Sequence, residues 1–169
     1  MTSITTSVLS QLPDAAAVLD FIAHHRYKPE NAALLDSPTF TLLPDYAQYV
    51  ILILDFETEY EMQGLRTLLE NALGRHLPAI ALSFERTHNA DIARHLQQLV
   101  TLLAAANSQP AAAPAKGPYS ESTRLRHNTP LLPQLDRLDD HLRPLMLAKE
   151  YWDNALAFVQ FRLSQSERP

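Results

Sequence analysis

The stretch "YVILILDFETEYEMQGLRTLLENALGRH", residues 49–76, decides the fold. An apolar run at residues 49–54 leads directly into four carboxylates at two-residue spacing, and two of the chain's three glycines follow. A β-strand is the alternative for the apolar run, because β-branched and aromatic residues favour strands. However, no turn signal bounds the run, and no hairpin partner with alternating polarity is evident. The run therefore predicts a buried helix that begins near Pro44 and continues into the acidic residues.

Helical spacing of apolar residues recurs through most of the chain, which predicts an all-α fold. Pro29 and Pro78 each suit the first turn of a helix, and Asn89 suits the N-cap of another. Gly74 suits the left-handed residue that ends a helix. We place Gly64 at a tight corner between two helices. We expect the helices after Gly64, Pro78 and Asn89 to form the centre of the fold.

A segment rich in proline and alanine, residues 107–130, interrupts this pattern and predicts a long loop. The roughly forty residues after it are too few for a core of their own, so we expect residues 1–169 to form one compact domain. Two C-terminal helices are predicted, "LPQLDRLDDHL" and "RPLMLAKEYWDNALAFVQFRLSQ". Pro144 either separates them or kinks one long helix.

The composition is that of a folded protein: 46% of the 169 residues are hydrophobic and 20% are charged. The chain has no cysteine, which excludes disulfides, thiolate nucleophiles and cysteine-bound zinc. The N-terminus lacks the basic start and apolar segment of a secretion signal. The longest apolar run is far below the roughly 20 residues that cross a bilayer. These features predict a soluble, cytoplasmic protein.

The net charge of −5 is concentrated in the first two thirds of the chain. Residues 1–54 carry five acidic and two basic residues, and residues 55–115 carry seven and four. Residues 116–169 carry seven acidic and eight basic residues. An acidic surface is poorly suited to a phosphate backbone. We therefore expect a basic protein as the partner, with no direct nucleic-acid or membrane binding.

The acidic residues of the opening stretch and its continuation are the candidate partner-binding site. The candidates are Asp55, Glu57, Glu59, Glu61 and Glu70. At two-residue spacing, the first four cannot share one face of a helix. Asp55 and Glu59 lie one turn apart, about 6 Å along the axis, whereas Glu57 points elsewhere.

Seven histidines raise the alternative of a metal site or an enzyme. Glu85 and His88 form an E-x-x-H pair, the half-site of di-iron helix bundles, which would share one helix face, but the sequence has no second copy. Nucleophile-elbow, zinc-protease, phosphate-loop and dinucleotide motifs are also lacking. We therefore predict a protein that is not an enzyme and uses no cofactor or metal. The enzyme alternative places a carboxylate beside a histidine in a pocket, with the candidates Glu59, Glu61, Glu85, His76, His88 and His95.

The last predicted helix is rich in aromatic residues, at Tyr151, Trp152, Phe158 and Phe161. We expect these side chains to dock the helix on the core. The alternative is a homodimer surface, since aromatic anchors are common at the centres of interfaces.

The segment "ETEYEMQGLRTLLENALGRHLPAIALSFERTHNADIARHLQQL", residues 57–99, resembles a bacterial domain family of largely unknown function. The best-known member of that family is a DNA-mimic protein that binds a transcription factor. The family signature is similar to Glu-x-x-Asn-Gly-Gly-Phe-x-Gln-x-x-x-Asn-x-x-Gly. Glu59, Gly64, Asn71 and Gly74 stand at its fixed positions, and Leu65 replaces the phenylalanine. The C-terminal "LDRLDDHLRPL" resembles the acidic closing helix of the family.

This resemblance implies a non-catalytic role in protein binding. Met62 and Gln63 replace the Asn-Gly pair of the signature and Thr67 replaces its glutamine, so a polar site of the relatives would be altered here. A DNA mimic needs many carboxylates on one face, because duplex DNA carries one charge per roughly 1.7 Å, and a net charge of −5 is small for that purpose. We therefore predict a domain that binds a basic protein through an acidic surface. The alternatives are a DNA mimic that sequesters a DNA-binding regulator and an immunity-type inhibitor of a toxin.

Overall fold

The computed structural model describes residues 3–107 and 131–166, and every regular element in these ranges is a helix. The all-α prediction is therefore confirmed for the described residues. The loop predicted at 107–130 lies outside them, apart from Asn107, which is the last residue of a helix. In the described ranges, no helix is both long enough and apolar enough to cross a bilayer.

The order of the elements follows the predicted helix order closely. The α-helices of the described ranges are α1 (Thr6–Leu9), α2 (Ala15–His25), α3 (Asp45–Glu70), α4 (Leu77–Arg86), α5 (Ala90–Asn107), α6 (Leu132–Ala148) and α7 (Tyr151–Ser166). Short 3-10 segments lie at Pro29–Asn31, Leu34–Asp36, Pro38–Leu42 and Ala72–His76. Pro29 lies in a first turn, as predicted, but the helix there is short and of the 3-10 type, and a second 3-10 turn follows it.

Helix α3 organises the core. It contacts α2, α4, α6 and α7, and Ile51, Ile53 and Phe56 in its first half are fully buried. The apolar run is therefore a helix, as predicted, and it is buried on nearly every side. Helices α4 and α5 pack on each other as expected. The buried cluster that contains Phe56 also includes residues after Gly64, namely Leu65, Leu68, Ile80, Phe84, Leu96 and Leu99. The helices after Gly64 and the first half of α3 therefore form the core together.

Gly64 forms the corner predicted for it. Its φ of 72° and ψ of 170° are non-helical, and α3 kinks at this residue. This region of backbone conformation is accessible almost only to glycine. A Cβ added at Gly64 would meet no atom within 4 Å. The requirement for glycine at this position is therefore conformational and not steric.

Replacing Gly64 with alanine is expected to lower the free energy of unfolding by about 1–3 kcal/mol, the cost of holding a side chain in this backbone conformation. Urea denaturation followed by circular dichroism measures the change. Thr67→Ala, at an exposed site in the same helix, is the control and should stay within about 0.5 kcal/mol of the wild type. If the Gly64→Ala variant is as stable as the wild type, a residue with a side chain is accommodated at the kink without cost, and the prediction is wrong.

Gly74 does not have the conformation predicted for it. Gly64 is the glycine with positive φ in the described residues, whereas Gly74 lies inside the 3-10 segment Ala72–His76. A Cβ at Gly74 would lie 2.8 Å from the backbone oxygen of Leu69. Glycine is needed there because two backbone segments approach closely. The end of α3 is marked instead by Asn71, whose Oδ1 accepts from Leu73 N at 2.9 Å.

The C-terminal part forms two helices, as predicted, but Pro144 does not divide them. Pro144 lies inside α6, and the chain breaks at Lys149, which has a left-handed φ of 55°. Helix α7 packs against α2 and α3, with Tyr151 buried and Phe161 58% exposed. Trp152 and Phe158, both half-buried, pack against the core. Docking of the last helix is thus confirmed for every predicted aromatic residue except Phe161.

Asn89 precedes α5, as predicted, but its side chain does not cap that helix. Its Oδ1 accepts from Asn154 Nδ2 at 2.7 Å, and its Nδ2 donates to Thr87 Oγ1 at 2.9 Å. Its Nδ2 also lies 3.3 Å from the backbone oxygen of Tyr151. Asn89 therefore connects the start of α5 to α7.

Candidate functional site

The acidic residues of α3 divide between two faces of the helix, as their spacing predicted. Asp55 and Glu59 face the 3-10 segments that follow α2 and α3. Glu57 and Glu61 face the junction of α6 and α7. Residues two positions apart point in nearly opposite directions on a helix. Each pair must therefore be considered separately.

Glu57 is an internal anchor for the C-terminal helices. It is 8% exposed, and its Oε1 accepts from Tyr151 Oη at 2.6 Å and from Trp152 Nε1 at 3.1 Å. Lys149 Nζ lies 3.2 Å from the same oxygen and 2.9 Å from Glu61 Oε1. Burial and the hydrogen bond to Glu57 raise the pKa of Tyr151, which keeps the phenol a donor. The placement of Glu57 on an exposed binding surface is therefore wrong.

Asp55 forms a buried ion pair with Arg26, the residue that follows α2. Arg26 donates to Asp55 Oδ2 from Nε at 3.0 Å and from Nη2 at 2.7 Å. Its Nη1 donates to the backbone oxygen of Asn31 at 2.7 Å. Asp55 is 4% exposed, so the expectation of an exposed carboxylate at this position is also wrong. A charged group is rarely buried without such a partner.

The second oxygen of Asp55 lies outside the ion pair with Arg26. Oδ1 is buried and has no hydrogen-bond partner among the described residues. The hydroxyl of Tyr27 donates to the backbone oxygen of Leu54 at 3.4 Å and also interacts with the Asp55 carboxylate. Burial raises the pKa of Asp55, against the lowering effects of Arg26 and Tyr27. A buried acceptor left without a donor is unusual and requires an explanation.

Asp55 lies at a cavity of about 350 Å³ between α3 and the 3-10 segments. Its wall contains Arg26, Tyr27, Ala32, Leu35, Asp36, Asp55, Glu59, Gln63, Asn71, Ala72, Leu73, Arg75 and His76. The volume lies at the lower end of the range for cavities that hold small ligands. The cavity is therefore large enough for one side chain or a compact polar molecule.

Glu59 is held at this cavity by two amides. Its Oε2 accepts from Gln63 Nε2 at 2.6 Å and from Asn71 Nδ2 at 2.7 Å. The half-buried carboxylate of Glu59 has no ion-pair partner among the described residues. Glu59 and Asn71 stand at signature positions, and Gln63 is one of the departures from that signature. Gln63, which replaces a glycine of the signature, thus donates a hydrogen bond that holds the side chain of Glu59 in place.

Asp36, Arg75 and His76 form the other side of the cavity. Arg75 forms an ion pair with Asp36, and its Nε donates to His76 Nε2 at 3.2 Å. The cavity wall thus holds three carboxylates and two guanidinium groups. Each guanidinium pairs with one carboxylate, which leaves the charge of Glu59 uncompensated.

The remaining candidates lie elsewhere. Glu61 is 45% exposed and belongs to the Lys149 side of α3. Glu70 is the last residue of α3, but its side chain lies outside the described part of the structure. Sequence reasoning missed Arg26, Asp36 and Arg75. They come from separate elements, and no local pattern relates them.

The E-x-x-H pair does not form a shared helix face. Glu85 lies in the last turn of α4, whereas His88 lies beyond the end of the helix with φ of 63°. Glu85 instead accepts from Gln97 Nε2 at 3.3 Å. Of the predicted pocket histidines, His76 lines the cavity, whereas His95 stacks on His141 with 5.4 Å between ring centroids. Among the described residues, no cluster of three or more metal-ligating side chains occurs.

Comparison of the chain with models of known families, with curated proteins and with solved structures finds no match. The resemblance to the family of the DNA-mimic protein therefore stays a prediction that rests on Glu59, Gly64, Asn71 and Gly74.

Proposed function

We propose that this chain is a non-catalytic protein-binding domain, and that the cavity at Glu59 receives a basic group of its partner. The observation that carries the proposal is the uncompensated carboxylate of Glu59 beside Oδ1 of Asp55, which has no hydrogen-bond partner among the described residues. The amides of Gln63 and Asn71 hold Glu59 in place before any partner arrives. Such preorganisation reduces the entropy lost on binding.

The buried carboxylates argue against DNA mimicry. A DNA mimic displays its charges to solvent, whereas Asp55 and Glu57 are internal and neutralised by protein groups. Glu61 is paired with Lys149. Among the described carboxylates of α3, the one without an ion-pair partner is Glu59, so the uncompensated charge lies at one cavity and is not spread along a face. This arrangement suits a basic DNA-binding regulator or a toxin that inserts a single side chain.

An enzyme is the second candidate, because Glu59 and His76 line the same cavity. However, Nε2 of His76 lies 3.2 Å from Arg75 Nε and 3.4 Å from Asp36 Oδ1, and no contact joins this imidazole to Glu59 among the described residues. The described wall also contains no serine, threonine or lysine, and two of its three carboxylates are paired with arginine. These features favour binding over covalent catalysis.

Capture from the native cytosol, with mass-spectrometric identification, tests the proposal. We expect wild-type bait to retain a basic protein and Glu59→Gln to bind it at least about tenfold more weakly, which corresponds to about 1.4 kcal/mol. For the purified pair, the association rate should fall as salt is raised, because opposite charges steer the encounter.

Glu85→Gln is the matched control for the capture experiment. It removes the same charge from an exposed residue that does not line the cavity, and it should retain the partner at the wild-type level. Equal capture by the Glu59→Gln bait and the wild type would refute binding through the cavity. Turnover of a substrate that requires Glu59 would favour the enzyme.

A further inference from the structure

Asp55 and Glu59 both line the cavity, and each carboxylate has one oxygen that accepts no hydrogen bond from the described residues. Oδ1 of Asp55 is buried without a donor among the described residues. Both hydrogen bonds to Glu59 end on Oε2, so Oε1 has no donor in that part of the chain. The two residues lie one helical turn apart on α3, about 6 Å along the axis. A cation that donates several N–H bonds can bond to Oε1 of Glu59 and still lie close to the Asp55 carboxylate.

We infer that the cavity binds a guanidinium group, which on the proposed function is an arginine side chain of the partner protein. The identity of the partner group rests on that proposed function, whereas binding of the guanidinium itself does not. A guanidinium presents five donors in a rigid plane and is weakly hydrated. An ammonium is a compact and strongly hydrated point charge, so it is more costly to move into a partly buried site.

Two guanidinium groups of the chain already pair with carboxylates of the cavity wall, one in a buried ion pair and one in an exposed ion pair. Arg26 donates to Oδ2 of Asp55 through two nitrogens, and Arg75 pairs with Asp36. The Cζ atom of Arg26 also lies 5.6 Å from the centre of the Tyr27 ring. A further guanidinium would bond to Glu59, the carboxylate of the wall that neither arginine pairs with.

Tyr27 supplies a further contact for such a guest. Its side chain lines the cavity and is 54% exposed. Guanidinium planes stack on aromatic rings, whereas this stacking is weaker for neutral amides. A bound cation would also bring the three carboxylates of the wall into balance with three positive groups.

Titration with N-acetyl-L-arginine methylamide tests the inference. The probe should shift the side-chain amide resonances of Gln63 and Asn71 in a saturable manner, because both amides donate to Glu59. The lysine analogue should bind at least tenfold more weakly, and the neutral citrulline analogue should cause no saturable shift. Glu59→Gln should weaken binding of the arginine probe at least tenfold, and Glu85→Gln should leave it unchanged. Asp55 is left intact, since its removal would unpair the buried Arg26.

Three results would overturn the guanidinium assignment: no saturable shift, lysine binding as tight as arginine, or arginine binding that ignores Glu59→Gln. The proposed function is refuted by a different result: equal capture of the partner protein by the wild type and by Glu59→Gln. The amide spectrum of each variant shows whether it is folded. The absence of a probe-induced shift is interpreted only for variants that are folded.

Discussion

Replacing Arg26 with methionine is expected to lower the free energy of unfolding by about 3–5 kcal/mol, the usual cost of leaving a buried charge without its partner. Arg26 is 6% exposed and Asp55 is 4% exposed, so water cannot replace the lost donors. The backbone oxygen of Asn31 loses the Nη1 donor as well. Chemical denaturation at neutral pH measures the loss.

The double variant Arg26→Met with Asp55→Leu shows whether the loss of stability comes from the unpaired charge of Asp55 or from the missing contacts of Arg26. Apolar replacement of both members of a buried ion pair is often neutral or stabilising. We therefore expect the double variant to recover most of the loss seen with Arg26→Met alone. If the double variant is less stable than Arg26→Met alone, Asp55 contributes to the free energy of unfolding beyond its ion pair with Arg26.

Replacing Glu57 with alanine is expected to cost about 3 kcal/mol. Each hydrogen bond to a charged group contributes about 1.5–3 kcal/mol, and a buried donor left without an acceptor costs about 1–3 kcal/mol. The change removes the acceptor of Tyr151 Oη and of Trp152 Nε1 together. It therefore loosens the start of α7, which thermal and urea denaturation should both report.

Glu61→Ala is the control for this prediction. Glu61 also pairs with Lys149, but it is 45% exposed, and exposed ion pairs contribute about 0–1 kcal/mol. A loss with Glu61→Ala as large as that with Glu57→Ala would assign the stabilisation to Lys149 and not to the aromatic donors. Glu57→Gln should recover part of the loss, because the amide oxygen can still accept one hydrogen bond.

Much of the fold follows from local sequence. The unbroken apolar run predicts the buried half of α3, and Pro78 marks the first turn of α4, because periodicity and proline act within one or two turns. The position of the break between α6 and α7 could not be predicted in this way. Lysine occupies the left-handed residue at position 149, whereas the sequence signal for that conformation is glycine or asparagine.

The candidate site was predictable only in part. The spacing of the acidic residues correctly separates Asp55 and Glu59 from Glu57. Their burial is not predictable from spacing, because Asp55 pairs with a residue 29 positions earlier and Glu57 bonds one 94 positions later. Carboxylates are exposed by default, and only the tertiary fold brings their partners to them.

The kink at Gly64 sets the distance across the cavity. In an uninterrupted helix, the twelve residues from Glu59 to Asn71 would separate the two by about 18 Å along the axis. In the folded chain the Asn71 amide lies 2.7 Å from the Glu59 carboxylate. One backbone conformation thus replaces a span of three helical turns with a direct hydrogen bond. Gly64 therefore positions the Glu59–Asn71 contact although this residue does not line the cavity.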